Sequence, residues 1–108
     1  MTGPVKMLVV FMNEVDRVGD EPLYEVVMRR LRKRDIAGAT ALHGVMGFGQ
    51  HHRLHHKGLF GIADDRPITI TVVDTEARLR ALLPELRSLV PAAPMLMLDA
   101  ESIPQGPL

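Results

Sequence analysis

Residues Val5 to Met12 are apolar in both alternation phases. Val5, Met7, Val9 and Phe11 fall on one side, and Leu8, Val10 and Met12 on the other. The run is rich in Val, Phe and Met, which predicts a β-strand. A strand apolar on both sides has to be buried on both faces. At 108 residues, the chain holds one domain and not two. Any fold proposed for it must therefore cover both faces of this strand.

The rest of the chain supplies two helices and three more strands. Asn13 to Asp20 reads as a polar turn. Asp20 is placed to cap a helix whose first turn holds Pro22. Leu23, Val26, Val27 and Leu31 then recur at helical spacing. Glu21 and Glu25 lie early and the run Arg29 to Arg34 lies late, an order that complements the helix dipole. Asp35 to Gly38 ends the helix. Ala39 to Phe48 reads as a second strand and Ile68 to Val73 as a third, in which Thr69 and Thr71 form a wetter side. Asp74 or Thr75 caps a second helix with a buried stripe of Leu79, Leu82, Leu83, Leu86 and Val90. Pro84 lies inside that stripe and is expected to bend or break the helix. Met95 to Leu98 reads as a last strand, again apolar in both phases.

This order is βαββαβ, the ferredoxin-like arrangement within the α+β class. It places two helices on one face of a four-stranded antiparallel sheet. The domain spans 5–103, and 104–108 form a disordered tail. The helices cover only one face, so the first and last strands expose an apolar patch on the other. Such a patch marks an interface, and a symmetric homo-oligomer with inward-facing sheets is expected.

Between the second and third strands lies a glycine-rich turn followed by a polar, cationic stretch, Gly44 to Gly58. A hairpin needs two to five loop residues, so a loop of roughly a dozen points to function. Gly47 and Gly49 allow positive φ and close approach, and Arg53, Lys57 and the histidines face anions. His51, His52, His55 and His56 also suggest a metal-responsive binding module. However, adjacent histidines on one loop rarely give the three or four fixed ligands of a metal site, so a polar partner-binding loop is the simpler reading. His43 is read as a packed or interface histidine. The Arg29 to Arg34 run is read as a solvated helix end rather than a phosphate patch. Among Glu14, Asp16 and Asp20, turn-making and capping explain the last two, whereas Glu14 directly follows the first strand.

Composition narrows the function classes. Thirteen basic side chains balance thirteen acidic ones, which argues against a nucleic-acid partner. The chain has no cysteine, so thiol catalysis, disulfides and cysteine-held zinc are excluded. Met7 to Met12 is too short for a signal peptide core or a membrane span, and a cytoplasmic location is expected. Ser88 and Ser102 have no evident His/Asp partner in the sequence, so no enzyme is expected.

The segment Gly47-Phe48-Gly49-Gln50, followed by a polar loop and a Pro-led Ile/Thr/Val strand, resembles the nitrogen-regulatory PII signalling proteins. There a GFGRQ-like segment opens the long T-loop. The chain is more similar to a PII-like branch, the domain-of-unknown-function 190 family. The resemblance rests on Glu14-x-Asp16, Gly19-x-x-Pro22-Leu23-Tyr24, Ile36 to Thr40, Gly44, Gly47-Phe48-Gly49, Arg53-x-His55, Val73-Asp74 and Leu82 to Leu86. It covers about Lys6 to Ile103. It implies a homotrimer that binds a small effector, an adenine nucleotide, in clefts between subunits. The 49–61 loop would then regulate a partner protein such as a membrane transporter or channel. On this resemblance Gly47, Phe48, Gly49 and Gln50 form the loop root beside the cleft, Arg53 and His55 are its polar residues, and no cofactor is required. Glu14 directly follows the first strand and matches the family pattern, which makes it a ligand-binding candidate. One segment departs from the PII pattern. Where PII proteins carry a glycine-rich TGxxGDGK turn that cradles phosphates, this chain has Val90-Pro91-Ala92-Ala93-Pro94. The basic cluster after the last strand is replaced by Asp99, Ala100 and Glu101. A mono- or diphosphate, a cyclic nucleotide or another small anion fits this chain better than a triphosphate.

Overall fold

The computed structural model describes residues 3–48, 55–56 and 66–107. In chain order its elements are β1 (Gly3–Asn13), β2 (Arg17–Val18), β3 (Glu21–Pro22), α1 (Leu23–Lys33), β4 (Gly38–His43), β5 (Met46–Gly47), β6 (His55–His56), β7 (Pro67–Asp74), α2 (Glu76–Leu89) and β8 (Met95–Ser102). The main sheet has the order β4-β7-β1-β8 and every pairing is antiparallel. This is the α+β ferredoxin-like fold.

The register sorts the side chains. Leu8, Val10 and Met12 share a face with Ile68, Ile70 and Val72, because directly opposed residues of a ladder project to the same side. These six pack with Leu23, Val27 and Leu31 of α1 and Leu79, Leu82 and Leu86 of α2 in one buried cluster. Both helices therefore cover the same face. The opposite face carries Met7, Val9 and Phe11 on β1, Leu96 and Leu98 on β8, and Leu42 on β4, joined across Thr69, Thr71 and Val73. Phe11 is 37% exposed, Leu98 45%, and Leu42 and Leu96 54%. The doubly apolar first strand is thus half covered within one chain.

Several boundaries differ from the sequence reading. The helix α1 is not capped by Asp20. Pro22 occupies the cap position without a side-chain bond, and the Leu23 amide donates to the Asp16 carbonyl at 2.8 Å. Asp20 instead sits in the tight β2–β3 hairpin, where Gly19 takes φ 60. That conformation suits glycine at the first central position of a two-residue hairpin turn. The expected strand Ala39 to Phe48 divides at Gly44 into β4 and β5. The Gly44 amide donates to the Pro67 carbonyl at 2.7 Å, and a Cβ at Gly44 would stand 2.5 Å from Pro67 Cγ. Only glycine permits that approach, so the chain turns out of the main sheet here. Of the two candidate caps for α2, Thr75 serves, its hydroxyl accepting from the Arg78 amide at 3.4 Å. Pro84 does not break α2, which runs through to Leu89. It lies with Arg80 on the exposed side, where water can satisfy the Arg80 carbonyl that loses its partner. Finally, β8 continues to Ser102 because Gly3 to Lys6 of β1 keep pairing with it. Residues 103–107 are exposed and lack regular structure.

Charged side chains fasten the helices to each other. Glu85 of α2 accepts from Arg30 at 2.6 Å and from Arg34 at 2.9 Å. The two guanidiniums, Arg34 first, pull its carboxyl down to about 2. Arg29 pairs with Glu21 at 2.9 Å. Three cations of the basic run are thus engaged by carboxylates, in keeping with the structural reading of that run.

Candidate functional site

A cleft of about 820 Å³ opens at one end of the sheet. Four segments meet there because the antiparallel order brings their ends together. They are the end of β1 from Phe11 to Asn13 with Asp16 and Arg17 just beyond it, Gly44 and Met46 to Phe48 after β4, Pro67 to Thr69 at the start of β7, and Leu89 to Pro94 from the end of α2 towards β8. The volume lies within the range of small-molecule sites.

Pro67 fixes the roof of this cleft. Besides closing on Gly44, its ring lies 3.4 Å from where a Gly47 Cβ would sit. Gly47 then pairs with His55, and Met46 with His56, in the two-stranded β5–β6 ribbon. The same short run, Gly44 to Phe48, therefore lines the cleft and begins the ribbon of the long loop. Gly44→Ala is expected to push the two roots of the loop apart. It should lower the melting temperature and weaken any ligand of the cleft, which a thermal-shift titration measures. An unchanged protein would mean Pro67 yields freely.

The floor is the Val90 to Pro94 turn. Arg87 holds it from below, donating from one guanidinium nitrogen to the carbonyls of Val90 (3.2 Å), Pro91 (3.4 Å) and Ala93 (2.7 Å). The Ala93 amide donates to Val90 at 3.2 Å, and the Pro94 carbonyl accepts the Phe11 amide at 3.0 Å. The turn is thus tied to both α2 and β1, and most of its polar groups are already satisfied.

The sequence candidates are distributed as follows. Gly47 and Phe48 line the cleft, with Phe48 69% exposed. Gly49, Gln50 and Arg53 lie outside the described residues, as do His51 and His52. His55 is described through its strand pairing alone. Glu14 does not line the cleft. It stands at its back, 3.5 Å from His43 Nε2 and 3.9 Å from Arg66 Nε, while its amide donates to the Arg66 carbonyl at 2.8 Å. His43 ends β4 and Arg66 leads into β7, so Glu14 bridges both roots of the loop. His43 is packed edge-on against Tyr24, with ring centroids 6.1 Å apart. Among the described residues no group of three His, Asp or Glu side chains is placed to hold a metal.

Phe11 and Arg17 are among the cleft residues that escaped the sequence reading. Phe11 was placed only in an apolar strand phase, and Arg17 only in a polar turn. Both line the cleft. The strand order would have found them, since it puts the end of β1 between the two loop roots and the α2–β8 turn.

The comparisons with known proteins agree with this architecture. Residues 5–102 match the domain-of-unknown-function 190 family, described as uncharacterized ACR, and the chain belongs to that family. It is 24% identical over 82 residues to a UPF0166 protein of Aquifex aeolicus, covering 76% of this chain and 78% of that one. It is 28% identical over 85 residues to a UPF0166 protein of Methanocaldococcus jannaschii, covering 79% and 78%. In fold it is similar to CPII of Thiomonas intermedia K12, a nitrogen regulatory PII-like protein solved with ADP, AMP and bicarbonate. The TM-score is 0.67 at 20% identity, over 91% of this chain and 87% of that one. It also resembles the divalent ion tolerance protein CutA1 of Ehrlichia chaffeensis, with a TM-score of 0.60 at 11% identity, over 96% and 87%. The chain is thus a PII-like member of its family in fold. No helix among the described residues is long and apolar enough to cross a membrane.

Proposed function

We propose that this protein is a cytoplasmic PII-like signalling protein rather than an enzyme. It assembles as a homotrimer and binds a small effector, an adenine nucleotide, between subunits at the cleft at the end of the sheet. The 49–61 loop reports occupancy to a partner protein, a membrane transporter or channel. The observation that carries this reading is the shared root: Gly44 to Phe48 both line the cleft and start the loop ribbon. A ligand seated there touches the residues that aim the loop, which is the physical link an effector needs. The adenine nucleotides in the similarly folded CPII support the choice of effector, and the uncovered apolar sheet face supports self-assembly.

Hydrogen exchange across residues 44–66, with and without AMP, ADP, ATP or cyclic nucleotides, tests the proposal. One nucleotide is expected to slow exchange in this segment selectively. Identical exchange with every nucleotide would overturn it. A response to divalent metal ions alone, lost when His51, His52, His55 and His56 become alanine, would favour the metal-responsive module instead.

A further inference from the structure

We propose that Arg17 is the anion-reading residue of the cleft, and that the effector is a nucleoside monophosphate: a planar body with one terminal phosphate. This rests on the nucleotide reading above and narrows it.

The charges of the cleft point this way. Arg17 is the one cationic side chain among the described residues that line it. Its neighbour Asp16 also lines the cleft, but that carboxylate is turned to the Asn13 amide, which it accepts at 2.9 Å. Among the described residues no carboxylate lies within ion-pair distance of Arg17. Its one partner among them is the Asp20 carbonyl at 3.4 Å, a long bond to a neutral group. Arg29, Arg30, Arg34, Arg66, Arg78 and Arg80 all stand against carboxylates. A guanidinium offers five N–H donors in a planar fork suited to phosphate, and here nearly all of them remain to be used.

The hairpin makes Arg17 a fixed point rather than a loose arm. Its backbone pairs with Pro22, and the preceding carbonyl accepts the first amide of α1. The floor of the cleft, by contrast, cannot cradle a chain of phosphates. Pro91 and Pro94 have no N–H, and the Ala93 amide is spent on Val90. Ala92 alone retains a free amide among these residues. The remaining lining, with Phe11, Leu23, Met46, Phe48 and Val90, suits an apolar, planar body. A single anion at Arg17 and a base against the apolar wall satisfy both parts. A second or third phosphate gains nothing from the floor.

Calorimetric titration of the full chain with adenosine, AMP, ADP and ATP tests this, on the wild type and on Arg17→Gln and Arg17→Lys. A charged hydrogen-bond pair sets the scale at roughly 10- to 100-fold in affinity. The wild type is expected to bind AMP more tightly than adenosine by that factor and to gain no more than about threefold from further phosphates. Arg17→Gln should reduce AMP to the adenosine level and leave adenosine unchanged, with Arg17→Lys intermediate. Equal AMP affinity in wild type and Arg17→Gln would overturn the assignment while leaving the nucleotide cleft intact. So would parallel loss of adenosine and AMP, or ATP binding tenfold tighter than AMP. No binding of any adenine compound to the wild type would instead remove the nucleotide reading itself, and this proposal with it.

Discussion

Val9→Asp is expected to convert the proposed trimer to a monomer. Val9 lies at the middle of β1, a central strand, on the face that neither helix covers. Its partners across the two ladders are Thr71 and Leu96. Phe11 and Met7 flank it on the same face, and Leu98 stands opposite Met7. In one isolated chain this face leaves large apolar side chains in water, Leu96 at 54% exposure. Inward-facing packing of three such faces would bury them at about 25 cal/mol per Å² of apolar area. A carboxylate at position 9 would then have to leave water without a cation to meet it, a cost of several kcal/mol in each chain. Multiplied by the symmetry, this exceeds what an interface of ordinary size can absorb. In the isolated chain the same carboxylate is solvated, so the helical face and its core should survive. Light scattering coupled to size exclusion should give one chain mass for Val9→Asp and three for the wild type, both with native circular dichroism. A wild type of one chain mass at micromolar concentration would show that the open face meets something other than its own copies.

How far the sequence carries the fold can be judged from particular residues. Ile68, Ile70 and Val72 alternating with threonines gave both the strand and its buried side, because a half-covered sheet writes its two environments in a period of two. The doubly apolar β1 gave the open face correctly for the same reason. The break at Gly44 was not legible. It depends on how closely Pro67 approaches, and those residues are brought together by ladder pairing and not by neighbourhood in the chain. The start of α1 was misread in a similar way. Asp20 has the chemistry of a cap, but the Gly19 turn swings it into a hairpin and the Asp16 backbone takes its place. At the cleft, Gly47 and Phe48 of the motif are among the lining residues. Arg17 was not legible in the sequence, since its significance comes only from which strand ends meet; the Val90 to Pro94 turn was marked by its departure from the PII pattern, but the Arg87 clamp beneath it was not. Glu14, read as a ligand-binding candidate, does not line the cleft and stands instead against His43 and Arg66.

Asp74→Ala is expected to produce the largest loss of stability among single substitutions of polar residues. Asp74 ends β7, is only 3% exposed, and is the one buried charged residue among those described. Its carboxylate accepts from the Thr75 amide at 2.7 Å, the Ala37 amide at 3.0 Å and Arg78 Nε at 3.0 Å. Arg78 in turn donates to the carbonyls of Arg34 and Asp35 at 3.1 and 2.6 Å, just where the chain leaves α1 with Asp35 in the left-handed region at φ 55. One carboxylate therefore ties the start of α2 to the α1–β4 turn. Alanine would strand two amides at about 1–3 kcal/mol each, while the half-exposed Arg78 returns to water at little cost. The net loss should be about 3 kcal/mol, or on the order of 10–15 °C in melting temperature at equal protein concentration. The pH dependence identifies the cause. Burial alone would raise the Asp74 pKa, but the Thr75 and Ala37 amides together with Arg78 outweigh it, and the folded value lies below the ordinary one. A depressed carboxyl pKa contributes stability that is complete above the unfolded value, near 4, and is lost as pH falls through the folded value. The gap between wild type and Asp74→Ala should therefore be constant from about pH 7 to pH 5 and narrow below about pH 4. A gap that stays constant into that acid range would mean that the side chain's volume, and not its charge, holds the turn.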